Sequence, residues 1–140
     1  MLITNSHVTG NLSNLHNNLG GIIGLTAKTV TSLKLDACSF DGTVSGVSYV
    51  GGIAGGIAQR APSVEITRCF SKGEVKSSGN YAGGLIGAAQ GNQTIANCYS
   101  AAQAYHGKAA AADATLSSVA KSLGWDETVW DLSKDLPALK

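Results

Sequence analysis

The sequence predicts an all-β chain folded as a parallel β-helix, or β-solenoid: about three coils of 29–32 residues, right-handed, with a C-terminal cap that contains a short helix. Three observations predict it. A glycine core recurs as Leu19-Gly20-Gly21-Ile22-Ile23-Gly24, Val50-Gly51-Gly52-Ile53-Ala54-Gly55 and Ala82-Gly83-Gly84-Leu85-Ile86-Gly87, at steps of 31 and 32 residues. A second motif recurs in the same phase. The composition is rich in small residues and poor in rings. A period in this range marks a stacked repeat, in which each unit buries its apolar face against its neighbours.

The second motif opens near Ile3, Leu35, Ile66 and Ile95, so coils begin there at steps of 32, 31 and 29 residues. Its copies run through Ser6-His7-Val8-Thr9-Gly10, Cys38-Ser39-Phe40-Asp41-Gly42, Cys69-Phe70-Ser71-Lys72-Gly73 and Cys98-Tyr99-Ser100-Ala101-Ala102. Even offsets are small or apolar and the intervening ones mostly polar, the alternation of a half-buried strand. The leading Ile or Leu lies three residues before the Ser or Cys, the wrong parity for one straight strand. A bend is therefore expected near Asn5, Ala37, Arg68 and Asn97, where Asn tolerates left-handed backbone angles.

Cys38, Cys69 and Cys98 share one repeat position, where the first copy has Ser6. Strands in register lie about 4.8 Å apart, so the thiols should stack as a ladder. Directly stacked parallel strands point their Cβ atoms the same way, which disfavours bridging. Buried, unbridged thiols are expected, and they leave the redox compartment open. The glycines Gly20, Gly21, Gly51, Gly52, Gly83 and Gly84 are read as structural, allowing coils to approach closely. The segment around them is apolar on both parities. One side should line the core, and the other is either covered by a loop or exposed as a contact strip.

With 140 residues the chain fits one domain or a piece of a larger protein. It has 18 glycines, and only 6% of its residues are aromatic, which suits a thin stacked core. Charged residues make up 14% and the net charge is +1, so no basic surface calls for nucleic acid or an anionic membrane. No apolar run reaches the ~18 residues of a membrane span, and the first residues lack a secretion signal. Met1 enters directly into a coil, which is expected to mark a boundary inside a longer chain.

The phased motifs resemble the GLUG repeat, a short motif of large bacterial surface and secreted proteins. It also occurs in non-catalytic regions of IgA-specific metallopeptidases and in adhesin-like proteins of gut bacteria. Residues 81–87 and 95–100 form the copy most similar to it, and the resemblance covers about 3–104. It implies a β-solenoid outside the cell or on its surface, joined to the rest of a parent chain. It implies contact with a host or microbial surface protein or glycan, and it carries no catalytic residue and no cofactor.

The pattern stops after Cys98: Ala102 replaces the expected glycine, and no further Gly-Gly core follows. Residues 1–104 are thus read as the repeats and 105–140 as the cap. Leu116, Val119, Ala120 and Leu123 fall on one helical face, with Asp113 able to cap its start and Gly124 to end it. Trp125 and Trp130 should complete a lid over the last coil, together with Leu116 and Leu123. A carbohydrate-binding aromatic platform is the alternative role for the tryptophans.

Motifs of zinc peptidases, serine hydrolases and phosphate loops are all missing. The run 51–56 looks like a dinucleotide loop, but its recurrence in three coils assigns it to stacking. The histidines His7, His16 and His106 share no ligand spacing, and His7 should project into solvent. Asp41 and Glu74 are the acids of most interest. As diagonal neighbours about 7–8 Å apart, they overlap the spacing of an inverting glycosidase pair. Lys72 opposite Asp41 offers the plainer account, an exposed cross-strand ion pair. Asn11 and Asn92 head N-glycosylation triplets, a pattern common by chance. The expected function is a non-catalytic structural or adhesive module, and the alternative is a glycan-binding or glycan-processing domain.

Overall fold

Period-two alternation with a fixed phase should produce strands that pair with their own repeats, and the computed structural model has that pairing. It describes residues 1–57, 63–89, 92–101 and 115–140. The chain is mostly β. The first repeat gives β1 (Leu2–Ser13), β2 (Leu19–Gly20) and β3 (Ile23–Leu25). The second gives β4 (Ser32–Gly46), β5 (Val50–Gly51) and β6 (Ala54–Ile57). The third gives β7 (Ser63–Thr67), β8 (Phe70–Lys72), β9 (Val75–Ser77), β10 (Ala82–Gly83) and β11 (Ile86–Ala89). Then come β12 (Gln93–Ala96), β13 (Tyr99–Ser100), α1 (Leu116–Ser122), β14 (Trp130–Asp131) and β15 (Ala138–Leu139).

Among the described residues these strands form four sheets. One has seven strands (β1, β4, β7, β8, β9, β12 and β13), and two have three each, in the orders β10-β5-β2 and β11-β6-β3. All pairs in these three sheets are parallel, whereas β14 and β15 pair antiparallel. The register is the sequence phase. Ser6 lies beside Cys38, Gly10 beside Gly42 and Leu12 beside Val44. Leu35 lies beside Ile66, Ile66 beside Ile95, and Tyr99 beside Phe70.

Backbone corners account for the broken parity. Asn5, Ala37, Arg68 and Asn97 all have left-handed φ, between 49° and 52°. The bend read from the sequence therefore recurs in four successive copies. A second left-handed corner at Asn18, Tyr49 and Tyr81 precedes the glycine core. The sequence concealed it, because two of its three residues are tyrosines, which carry no turn signal. A third corner is held by glycine. Gly42 and Gly73 have φ of 150° and 138°, and a Cβ on either would collide with the carbonyl of the equivalent glycine in the preceding repeat.

The glycine core turns between its second glycine and the following Ile or Leu. Because of that turn, both parities reach the interior. Ile53, Leu85, Val50, Ala54 and Ile86 are all fully buried, so in the second repeat neither expected alternative holds, whereas in the third Ala82 stays exposed while Leu85 and Ile86 are buried. Leu33, Leu35, Phe40, Val44, Val64 and Ile66 complete the core. In the first repeat the alternation persists, but Val8 and Leu12 are exposed, while their neighbours Phe40 and Val44 are buried.

The C-terminal region departs from expectation in position. Helix α1 begins after Thr115, whose side chain accepts from the Ser118 N–H, and ends at Gly124 with φ 73°. Asp113 and the expected boundary at 104/105 lie outside the described residues. Leu116, Val119, Leu123, Trp125, Trp130 and Leu132 are buried together with Ala37 and Phe70, with Tyr99 packed at the margin. The indole Nε1 of Trp125 donates to the Arg68 carbonyl (2.8 Å), and that of Trp130 reaches Asn5 Oδ1 (3.4 Å). The tryptophans thus lie along the outer side of the seven-stranded sheet and touch the first repeat, rather than covering only the last coil. No helix among the described residues is long and apolar enough to cross a membrane.

Gly52 shows why the core glycines admit no side chain. A Cβ there would overlap Ser71 Oγ and the Gly84 carbonyl oxygen. Gly52→Val should cost at least about 3 kcal/mol by overpacking, measured as a lower urea midpoint. An unchanged midpoint would show that the stack has slack at this position.

Candidate functional site

Three kinds of side-chain array arise from in-register stacking: an inward thiol ladder, an outward face under the C-terminal segment, and a solvent-facing rim. The thiols of Cys38, Cys69 and Cys98 are buried and unbridged. Cys38 Sγ donates to the Asp36 carbonyl at 3.4 Å, Cys69 Sγ to that of Thr67 at 3.2 Å, and Cys98 Sγ to that of Ala96 at 3.3 Å. Hydrogen bonding to Cys38 and Cys98, together with burial, pushes the central Cys69 thiol up, so it remains protonated. A buried neutral thiol is a poor nucleophile and a poor ligand, and no cluster of metal-binding side chains occurs among the described residues.

The outward positions next to the cysteines are His7, Ser39, Phe70 and Tyr99, in ladder order. Phe70 is fully buried because the C-terminal segment lies over it. Its ring is 5.4 Å from that of Trp125, which in turn is 4.8 Å from that of Trp130. These indoles are packed on both sides, which leaves no open platform for a sugar. His7 is not solvated as expected. It is half-buried, its Nδ1 lies 2.6 Å from Ser39 Oγ, and burial lowers its pKa. His16 is exposed, and His106 lies outside the described residues.

Arg68 joins the two regions. Its guanidinium clamps the Asp36 carboxylate with both Nε (2.9 Å) and Nη2, while Nη1 donates to the Gly124 carbonyl at 3.0 Å. Thr67 Oγ1 adds a donor to Asp36 at 2.8 Å. The Arg68 hydrogen bonds hold the Asp36 carboxyl below the usual range. The sequence offered Arg68 only as a bend residue, and its pairing with Asp36 across a 32-residue step could have been read from the register.

The two speculative acids hold the register read from the sequence: Val44 beside Val75 puts Glu74 level with Thr43, two residues on from Asp41. Asp41 lies beside Lys72 in the register, as read from the sequence. Glu74 is exposed and bonds Lys76 Nζ at 2.7 Å. Lys34 and Glu65 form a further exposed pair at 2.9 Å. Such pairs on a polar surface contribute little to stability. Gly20, Gly21, Gly51 and Gly52 are packed against backbone or side chains where a Cβ would sit, and Gly83 and Gly84 are buried, so the run 51–56 has no room for a phosphate.

A groove of about 360 Å³ runs across three repeats on the rim, lined by Ser13, Asn14, Ser45, Lys76, Ser77 and Ser78 among others. Near it in sequence, the rings of Tyr49 and Tyr81 stack at 4.9 Å with planes 6° apart, and Tyr81 is exposed. Neither groove nor tyrosines were singled out beforehand. Their signal was the second corner, visible only once the repeats are aligned. Comparison with protein-family models, with curated proteins and with solved structures finds no match to this chain.

Two predictions follow from these arrays. Thiol labelling of the native protein should be slow and should reach three equivalents only in denaturant; rapid native labelling would refute the buried ladder. Because the folded Asp36 pKa is depressed, its contribution is present above the unfolded value near about 3.9 and is lost as pH falls through the folded value. Tryptophan fluorescence should therefore shift red below about pH 4 before the β-sheet signal is lost. The Asp36→Asn variant should already be partly shifted at neutral pH. Simultaneous loss of both signals would mean that the segment is not independently anchored.

Proposed function

We propose that the chain is a right-handed parallel β-solenoid that serves as a non-catalytic structural or adhesive module of a larger bacterial surface or secreted protein. The observation that carries the solenoid reading is the parallel register itself. Three sheets repeat at 29–32-residue steps, with left-handed corners at equivalent positions in successive copies. The crossover rule for parallel strands supplies the hand. Its extracellular placement and its relation to a parent chain rest on the resemblance to GLUG repeats.

The side chains favour a scaffold over an enzyme. The central Cys69 thiol is held neutral, Glu74 is tied to Lys76, and Asp41 sits beside a lysine. A general acid and base need separated pKa values in a water-excluding cleft, and these acids occupy an outer face instead. The groove and the exposed Tyr81 give adhesion a specific place. The hydroxyl, amide and ammonium groups that line the groove suit a neutral or weakly acidic glycan, and Tyr81, close to it in sequence, offers an exposed ring.

Beads coated with the purified chain should either adhere to glycan-bearing surfaces, with Tyr81→Ala and Lys76→Ala weakening capture about tenfold or more, or remain inert as a spacer. Release of reducing ends from a polysaccharide panel, abolished by Asp41→Asn or Glu74→Gln, would overturn the non-catalytic reading.

A further inference from the structure

The rim groove forms where β1, β4 and β9 end, so its lining repeats along the stack. Ser13 lies beside Ser45 and Ser45 beside Lys76, while Gly46 lies beside Ser77. Leu15, Val47 and Ser78 line it as well. Each of three repeats therefore contributes one rung, and rungs are separated by one strand spacing of about 4.8 Å. The stacked rings of Tyr49 and Tyr81, 4.9 Å apart, show the same step at the adjacent corner.

The bonds already made in the groove narrow the ligand chemistry. Its main chain is paired: the N–H of Asn14 donates to the Ser45 carbonyl, Val47 to His16, Ser78 to Gly46 and Gly79 to Val47. An extended peptide, which docks largely through main-chain hydrogen bonds, finds these groups taken. Lys76 is the one ionisable residue of the lining, and its Nζ lies 2.7 Å from the Glu74 carboxylate. That pairing offsets its pull on a phosphate, sulfate or uronate. Side chains remain. Ser77 Oγ donates to the Val47 carbonyl (2.6 Å) and Asn14 Oδ1 accepts from the His16 N–H (3.1 Å). The hydroxyls of Ser13, Ser45 and Ser78 have no hydrogen-bond partner among the described residues. Leu15, 89% exposed, and Val47 set an apolar strip among them. A pyranose ring has the matching character, with hydroxyls at its edge and C–H groups on its faces.

We propose that the groove takes a neutral, linear glycan laid along the stack axis, with about one sugar ring to each repeat. A pyranose joined through opposite ring positions is about one strand step long, so consecutive rings meet equivalent rungs. The volume of about 360 Å³ lies at the low end of the roughly 300–1,000 Å³ of small-molecule sites, which suits a short run of rings within a longer chain. Each rung binds weakly, and because the rings are linked, affinity grows with the number of rungs engaged. The inference rests on the adhesive reading proposed above and adds the charge, shape and direction of the ligand.

Calorimetric titration of the full chain tests it, with β-1,4-linked oligomers of glucose, mannose and N-acetylglucosamine from one ring to six, and with galacturonate oligomers as the charged series. At least one neutral series should gain about tenfold or more in affinity between one ring and three, with little change on adding salt. Ser45→Gln fills the middle rung and should weaken binding of the three-ring oligomer about tenfold or more, with slow thiol labelling retained. If that variant does not fold, Ser78→Gln, at an exposed position, decides instead. The proposal is overturned if no neutral series binds, if one ring binds as tightly as three, if the galacturonates bind more tightly, or if the folded variant binds as the wild type does. Coated beads that still adhere through Tyr81 in any of those cases would leave the adhesive reading standing without the axial glycan. Beads inert on every glycan surface would remove both.

Discussion

In-register stacking of parallel strands is the constraint on which the remaining features depend. Once residue i lies beside a residue 29 to 32 positions on, each ladder position must suit the same space in every copy. Strands about 4.8 Å apart leave no freedom to absorb a bulky corner residue. That is why the third corner keeps glycine at 42 and 73, where the carbonyls of Gly10 and Gly42 respectively leave no room for a Cβ. It is also why Ala37 and Arg68 adopt the same left-handed φ as Asn5 and Asn97. Their own preferences disfavour it, but the neighbouring coils fix the bend, and the local strain is outweighed by burial of Leu35, Cys38 and Phe40.

The same constraint sorts chemistry by face. Inward ladders collect thiols, aliphatics and small hydroxyls, whose polar hydrogens reach backbone carbonyls two residues back, as at Cys69 and Thr67. Outward ladders collect charges of alternating sign, as at Lys34 and Glu65. The thiols and the Asp36 carboxylate of this array find their hydrogen-bond partners within it. Its rim, where corners from successive repeats lie side by side, is where recognition can be placed without disturbing the ladders.

The C-terminal segment adds a contact that the repeats do not supply. It follows the outer face, buries Phe70 beneath Trp125, and is held by Arg68, whose three nitrogens serve two separate regions at once. A residue forced into a bend by the stack thereby becomes the anchor of a segment more than 50 positions away. This lateral course ties the segment to several repeats together, including the first through Trp130 and Asn5, so its packing energy is distributed along the stack.

The sequence by itself determined the period, the register, the first corner and the burial of the three thiols. All of these are local or periodic properties: alternation sets the face, and repetition sets the partner. The helix was legible for the same reason, since Leu116, Val119, Ala120 and Leu123 form one apolar stripe. Only the tertiary structure decided where that helix and the tryptophans would lie. An apolar stripe specifies that it must be covered and not by what, and Phe70, at an outward position, competes with the end of the stack for the same indoles. Tertiary structure also decided that Val50, Ile53 and Ala54 all face inward on both parities of the second glycine core, where neighbouring repeats pack against the turn at Gly52. The half-buried state of His7 was hidden likewise, since it depends on Ser39, 32 residues away.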